Sequence, residues 1–244
     1  MKNSNEIIII GPSEGKLGYD VNKLEGKTTF NFSGDLMWFH DNNIYPTYWT
    51  FLDPNSTMYI FDRFKSGKYN QEWLEGLRQN TTLIYNDFQG TDRFYNEGLT
   101  TSRGKIWNRE EFGKKLLPQL ATFFKDTISL PSVILRNNLD SFFDERKHLC
   151  PMVKHEKGIN NDKFSCFILP MVLSYFEQLE LIHAIGFGDF TKPRLYNGLS
   201  LGYSGYKLSY QRMKEDLLKV LKHKNVNVTF ENKDSYFNEL TWKK

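Results

Sequence analysis

Long apolar runs are missing from this chain: nowhere does one reach the roughly 18 residues that a membrane-spanning helix needs. Cysteine is nearly absent too. Cys150 and Cys166 are the only two, too few for a disulfide framework and not at metal-ligand spacing, so a reducing compartment is expected. Charge of one sign is also lacking, since 32 basic and 29 acidic side chains leave a net +3 spread along 244 residues. Charge therefore gives no reason to expect a nucleic-acid partner. No P-loop or zinc-spaced cluster occurs, and no two aspartates stand at Asp-x-Asp spacing. The start, Met1 to Asn5, is short and polar rather than a signal peptide, so a cytoplasmic protein without a membrane span is expected, peripheral association remaining open.

Aromatic residues are plentiful: 20 Phe, 13 Tyr and 5 Trp. They suit a packed core and a stacking or sugar-binding cleft. The most directive stretch is Glu6-Ile7-Ile8-Ile9-Ile10-Gly11-Pro12-Ser13-Glu14-Gly15. Four β-branched residues in a row read as a strand buried on both faces, at the centre of a parallel sheet. The strand stops at Gly-Pro-Ser, where Gly11 permits close backbone approach and Ser13 offers a hydroxyl beside free N–H groups. Ligands of open α/β sheets sit at the carboxyl ends of strands, so this turn is either a phosphate site or a plain tight turn.

Asp20 to Leu24 reads as one helical turn, Thr28 to Ser33 as a second strand, and Asp35 as the N-cap of a short helix through Trp38 and Phe39. Tyr48 to Leu52 is a third strand ending in Asp53-Pro54. Ser56 to Phe64 and Gln71 to Arg78 read as helices, and Thr81 to Tyr85 as a fourth strand. That alternation predicts βαβ units and a parallel sheet. Residues 87–109 read as a long loop or lid, Glu110 to Lys125 as a helix and Ser132 to Leu135 as a short strand, while 137–162 carry no assignment. Lys163 to Leu179 reads as a buried helix with Pro170 inside it, and Leu181 to Ile185 as a strand broken at Gly186. A Gly- and Tyr-rich loop over 191–206, an amphipathic helix from Ser209 to Lys222 and a strand from Val226 to Phe230 complete the chain before a short terminal helix. The expectation is one α/β domain over 1–244, a mostly parallel sheet with helices on both faces and a lid-like insertion within 87–162.

Several strand ends fall into a familiar order: Ile7 to Ser13, Asn31, Asp53-Pro54, Ser165-Cys166 opening a long apolar helix, Ile182 to Gly186 with Gly188-Asp189-Phe190, and Val226 to Asn232. In these the chain resembles the bacterial sialyltransferases of glycosyltransferase family 42 and related Gly-Pro-Ser Rossmann-like proteins. The resemblance implies a single Rossmann-like domain that binds a cytidine-monophosphate-activated sugar across the strand ends, without a metal or other cofactor, and transfers it to a carbohydrate acceptor. It implies nucleotide contacts from Gly11, Pro12, Ser13, Asn31, Asp53, Ser165 and Gly186, with Tyr203 or Tyr206 at the phosphate. The loop in which that family carries its catalytic His reads Tyr203-Ser204-Gly205-Tyr206-Lys207 here, with no histidine.

A base must therefore come from elsewhere. His155, in the polar run Lys154-His155-Glu156 and read as a loop, has a side chain suited to proton abstraction near neutrality. Asp189, after a glycine-bracketed strand end, either deprotonates an acceptor hydroxyl or caps a turn. His183, inside an apolar strand, reads as a satisfied core histidine. Lys192, Arg194 and Lys207 surround the Gly/Tyr loop, either as solvated charges or as partners of a departing phosphate. The function expected is glycosyl transfer from a nucleotide-sugar donor. The alternatives are a metal-dependent phosphate-transfer enzyme on the same scaffold and a nucleotide-binding protein without catalysis.

Overall fold

Four consecutive isoleucines cannot form a half-exposed strand without placing two of them in water. The fold answers by burying both faces of β1 (Glu6–Ile10), where Ile7 to Ile10 are all buried, each worth about 1.5–3 kcal/mol by apolar burial. The computed structural model describes residues 5–11, 16–32, 36–51, 63–86, 117–130, 132–136, 150–155, 158–159, 178–186, 194–196, 199–201 and 225–231. After β1 come β2 (Thr29–Phe32), β3 (Tyr48–Phe51), β4 (Thr82–Asn86), β5 (Asp126–Leu130), β6 (Ser132–Arg136), β7 (Cys150–His155), β8 (Gly158–Ile159), β9 (Leu181–Ile185), β10 (Arg194–Tyr196), β11 (Leu199–Leu201) and β12 (Asn227–Phe230). The named helices are α1 (Leu36–Asp41), α2 (Gln71–Asn80) and α3 (Leu117–Phe123).

Seven strands form one sheet in the order β12-β9-β1-β2-β3-β4-β5, and every pairing in it is parallel. The protein is thus an α/β fold. From β1 the chain steps outward through β2, β3, β4 and β5, then returns to the other side of β1 for β9 and β12. The register sets Ile185, Ile10, Asn31, Trp49, Leu83 and Thr127 in one row across the sheet, on a common face. Most of that face belongs to an aromatic-rich core that includes Ile8, Leu36, Trp38, Phe39, Phe64, Tyr69, Trp73, Leu77 and Phe124.

Local chemistry explains the elements that cover this face. Asn70 caps α2, its side chain accepting from the Trp73 N–H at 2.6 Å. Glu72 in the first turn and Arg78 in the last suit the helix dipole, and Trp73, Leu74 and Leu77 form the buried stripe. Gly76 leaves room for the Tyr45 ring, which stacks on Trp73 and which a Cβ at position 76 would displace. The expected turn at Asp20 is a 3-10 helix, Val21–Leu24, with the Asp20 carboxylate accepting from the Asn22 N–H at 3.1 Å.

At the amino-terminal edge of the sheet, the threonine hydroxyls are matched. The Thr47 N–H donates to Thr29 Oγ1 at 2.8 Å, and the Thr29 N–H donates to Thr47 Oγ1 at 3.1 Å. Thr81 Oγ1 donates to the Pro46 carbonyl at 2.7 Å, and the Thr82 N–H to the Thr47 carbonyl at 2.9 Å. These bonds join the starts of β2, β3 and β4.

Several expectations need correction. Asp126 to Leu130 received no assignment as a strand, yet it forms β5 at the sheet edge, where one pairing partner and exposed Asp126 and Thr127 are tolerated. This also takes 126–130 out of any lid within 87–162. Ser132 to Leu135 is a strand as expected, but of a separate three-stranded sheet, β6-β7-β8, which gives structure to part of 137–162. The Gly/Tyr loop contains the β10–β11 hairpin, whose two-residue connection is Asn197-Gly198, the strongest short-range hairpin signal. Of the helix expected over Glu110 to Lys125, α3 occupies Leu117–Phe123. Of Ser56 to Phe64, residues 63–64 are described, and they are helical. The helices expected over Lys163 to Leu179 and Ser209 to Lys222, and at the chain end, lie outside the described residues apart from positions 178 and 179. The loop expected over 87–109 lies wholly outside them.

Candidate functional site

The strand order reverses between β1 and β9, and in open α/β sheets the crevice outside the carboxyl ends at such a reversal is where ligands bind. Here that edge is built from Gly11, Gly186, Lys16 and Asn31. The Gly11 N–H donates to the Ile185 carbonyl at 2.8 Å, continuing the β1–β9 ladder one step past both strands. The Gly11 carbonyl accepts from the Lys16 ammonium at 2.9 Å, and Lys16 is only 2% exposed. Gly186 has φ +73°, and a Cβ on it would lie 2.6 Å from the Gly11 oxygen. The sequence explains both glycines: one residue past each strand, the two backbones close together where no side chain fits.

Asn31 is the unusual member. It is 0% exposed, and neither its amide nitrogen nor its amide oxygen has a hydrogen-bond partner. Its row neighbours are Ile10 on β1 and Trp49 on β3, so a polar amide stands where packing alone would select an aliphatic side chain. An unpaired buried polar group costs about 1–3 kcal/mol. On the opposite face of β3, the Thr50 hydroxyl is likewise buried and unpartnered. Both lie one residue from the carboxyl end of their strands. An amide that can give and accept a hydrogen bond, one strand from a buried ammonium, matches a ligand bearing hydroxyls or a heterocyclic edge.

Of the residues singled out in the sequence, Gly11, Asn31 and Gly186 meet at this edge. Pro12, Ser13, Asp53, Ser165, Asp189, Tyr203, Tyr206 and Lys207 lie outside the described residues, as does Lys192. Arg194 begins β10. His155 is corrected from loop to strand: it closes β7 and pairs with Gly158, in a sheet that shares no strand with the seven-stranded one. Lys16 and Thr50 were missed. Lys16, between Gly15 and Leu17, carries no local mark that separates it from a solvated lysine, and only the tertiary fold buries it.

His183 lies on the flank of the switch, on β9. Its Nδ1 shares a 2.7 Å hydrogen bond with Thr229 Oγ1, and its Nε2 is 3.4 Å from the Glu231 carboxylate. Both ring nitrogens therefore have partners, as expected of a satisfied histidine, though it is half-buried rather than deep. The Tyr19 ring lies 6.5 Å from it, centre to centre. Burial pushes the Tyr19 phenol above its ordinary value of 10.0, and the Glu231, Asp20 and Glu6 carboxylates add to the rise.

Among the described residues no cluster of His, Cys, Asp and Glu has the makings of a metal site, and no helix is long and apolar enough to cross a membrane. Comparison with known protein families, curated proteins and solved structures found no match.

Proposed function

We propose that this protein is a glycosyltransferase with a Rossmann-like domain that takes a nucleotide-activated sugar, with CMP as the nucleotide, at the carboxyl edge between β1 and β9. The observation that carries the reading is Asn31: a buried amide without partners, on the strand beside β1, in a row of apolar residues. A fold retains such a group most readily where a ligand supplies its partners. The resemblance to the family 42 sialyltransferases supplies the ligand class. In this reading Ser13, Asp53 and Ser165 complete the nucleotide contacts, Tyr203, Tyr206 and Lys207 take the departing phosphate, and His155 or Asp189 deprotonates the acceptor hydroxyl. Metal is not required. The absence of histidine from 203–207 favours a second reading, nucleotide binding without transfer.

The test is a thermal-shift series with CMP, CDP, UDP, GDP and ATP, each with and without Mg²⁺. CMP at a hundredfold excess over its Kd stabilises by about 2.7 kcal/mol, and this is expected without metal. Stabilisation only by a triphosphate with Mg²⁺ would replace the proposal with a phosphate-transfer enzyme. CMP binding without turnover of any CMP-sugar, hydrolysis included, would leave the second reading standing.

A further inference from the structure

The β9–β12 side of the switch carries a second polar cluster. Alternation along Asn227-Val228-Thr229-Phe230-Glu231 sends Val228 and Phe230 to a buried face and sets Thr229 and Glu231 on the other, where both are exposed. On β9 the same alternation buries Ile182 and Ala184 and sets His183 beside Thr229 in the parallel register. The Glu231 N–H donates to the Ala184 carbonyl at 3.0 Å, which holds that carboxylate one residue past β12. Three side chains of different chemistry therefore form a line. Thr229 Oγ1 lies 2.7 Å from His183 Nδ1, and His183 Nε2 lies 3.4 Å from the Glu231 carboxylate.

The partners assign the protons. An ionised carboxylate only accepts, so Nε2 carries the imidazole hydrogen and Nδ1 is the bare nitrogen. The Thr229 hydroxyl therefore donates to Nδ1. A hydroxyl, a base within hydrogen-bond reach and a carboxylate that orients the base are the parts that activate an oxygen nucleophile. Thr229 is exposed, so a substrate can reach its oxygen.

We infer that Thr229 is an acyl-accepting nucleophile, with His183 as its base and Glu231 as the residue that positions the imidazole. The acyl donor is an ester or thioester with a good leaving group, the class that needs least help beyond a general base. Thr229 Oγ1 bonds to the carbonyl carbon while its proton passes to His183 Nδ1. The carbonyl bond to the leaving oxygen or sulfur then breaks, and the leaving group departs with the electron pair and takes the proton from Nδ1. The products are an acylated Thr229 and a free alcohol or thiol. This activity lies beyond glycosyl transfer and does not depend on it.

The experiment treats the full chain with p-nitrophenyl acetate and locates acetyl groups by peptide mass. Thr229 is expected to be acetylated faster than other exposed hydroxyls. His183→Gln should slow that labelling about a hundredfold, the usual contribution of a positioned base, while labelling of exposed lysines stays as in wild type. Glu231→Gln should slow it about fivefold, a smaller effect because the pair is partly exposed, with the urea midpoint held near wild type. Thr229→Ser, which keeps the hydroxyl, should remain reactive. Acetylation of Thr229 as fast in His183→Gln as in wild type overturns the inference, and so does a wild type in which Thr229 is not acetylated. If His183→Gln fails to fold, Glu231→Gln decides, since an unchanged rate there overturns the inference as well.

Discussion

The two edges of the seven-stranded sheet treat buried polar groups in opposite ways. At the amino-terminal edge Thr29 and Thr47 close each other's hydrogen bonds, and the Thr81 hydroxyl serves the Pro46 carbonyl. At the carboxyl-terminal edge Asn31 and Thr50 are fully buried, yet their side chains find no partner. β2 and β3 contribute to both edges, so strand propensity and sheet geometry do not account for the difference. The amino edge is arranged for stability. The carboxyl edge gives up stability, as sites built for a ligand commonly do.

The largest expected effect tests whether the carboxyl edge is nevertheless rigid. Gly186→Ala forces a side chain onto a left-handed backbone and against the Gly11 carbonyl, which is backbone and cannot swing aside. A loss of about 3 kcal/mol is expected, from strain and overlap together, read as a fall in the urea midpoint. A loss below a few tenths would show that the two strand ends are free to part.

Polar-to-apolar exchange should then change sign between the edges. Thr81→Val removes the hydroxyl that serves the Pro46 carbonyl, and should destabilise by about 1–2 kcal/mol. Asn31→Leu removes two unsatisfied atoms from an apolar row, and should stabilise by about 1–3 kcal/mol while abolishing CMP binding. Equal destabilisation by both would erase the distinction between the edges.

That contrast also shows how far the sequence could be read. The isoleucine run, the strands β2, β3, β9 and β12, and the helix beginning at Gln71 were legible because their apolar patterns are local. The chemistry of Asn31 was legible only through a resemblance. In Thr-Phe-Asn-Phe, alternation alone would turn Asn31 toward water, and only the parallel neighbours β1 and β3 bury both faces. Lys16 was illegible for the same reason, since its burial and its bond to the Gly11 carbonyl arise only in the tertiary fold. β5 escaped because a polar edge strand resembles a loop, whereas the Asn197-Gly198 hairpin was available and overlooked.

The flank of the switch gives a pH test. Tyr19 keeps its proton to higher pH in the folded chain than in the unfolded one, through burial and the Glu231, Asp20 and Glu6 carboxylates. As pH rises past the ordinary tyrosine value, the unfolded state loses this proton first and so binds fewer protons. Stability is then whole below about pH 10 and declines above it. Tyr19→Phe should flatten that decline in Tm measured from pH 9 to 11. An unchanged slope would assign the alkaline loss to other groups.

The smallest effect concerns the amino edge. Lys27 and Glu6 form a 2.9 Å ion pair at the start of β1, with both side chains well exposed, 46% and 39%. Water screens such a pair, and fixing two long side chains opposes the gain, so Lys27→Ala should change stability by less than about 0.5 kcal/mol. Urea unfolding at low and high salt checks this, because whatever the pair contributes should shrink as salt is added. A loss near 2 kcal/mol that high salt did not relieve would mean that charge rather than the threonine network closes the amino edge. The two edges would then differ in the kind of interaction, and the unpaired amide of Asn31 would cease to be what sets the carboxyl edge apart.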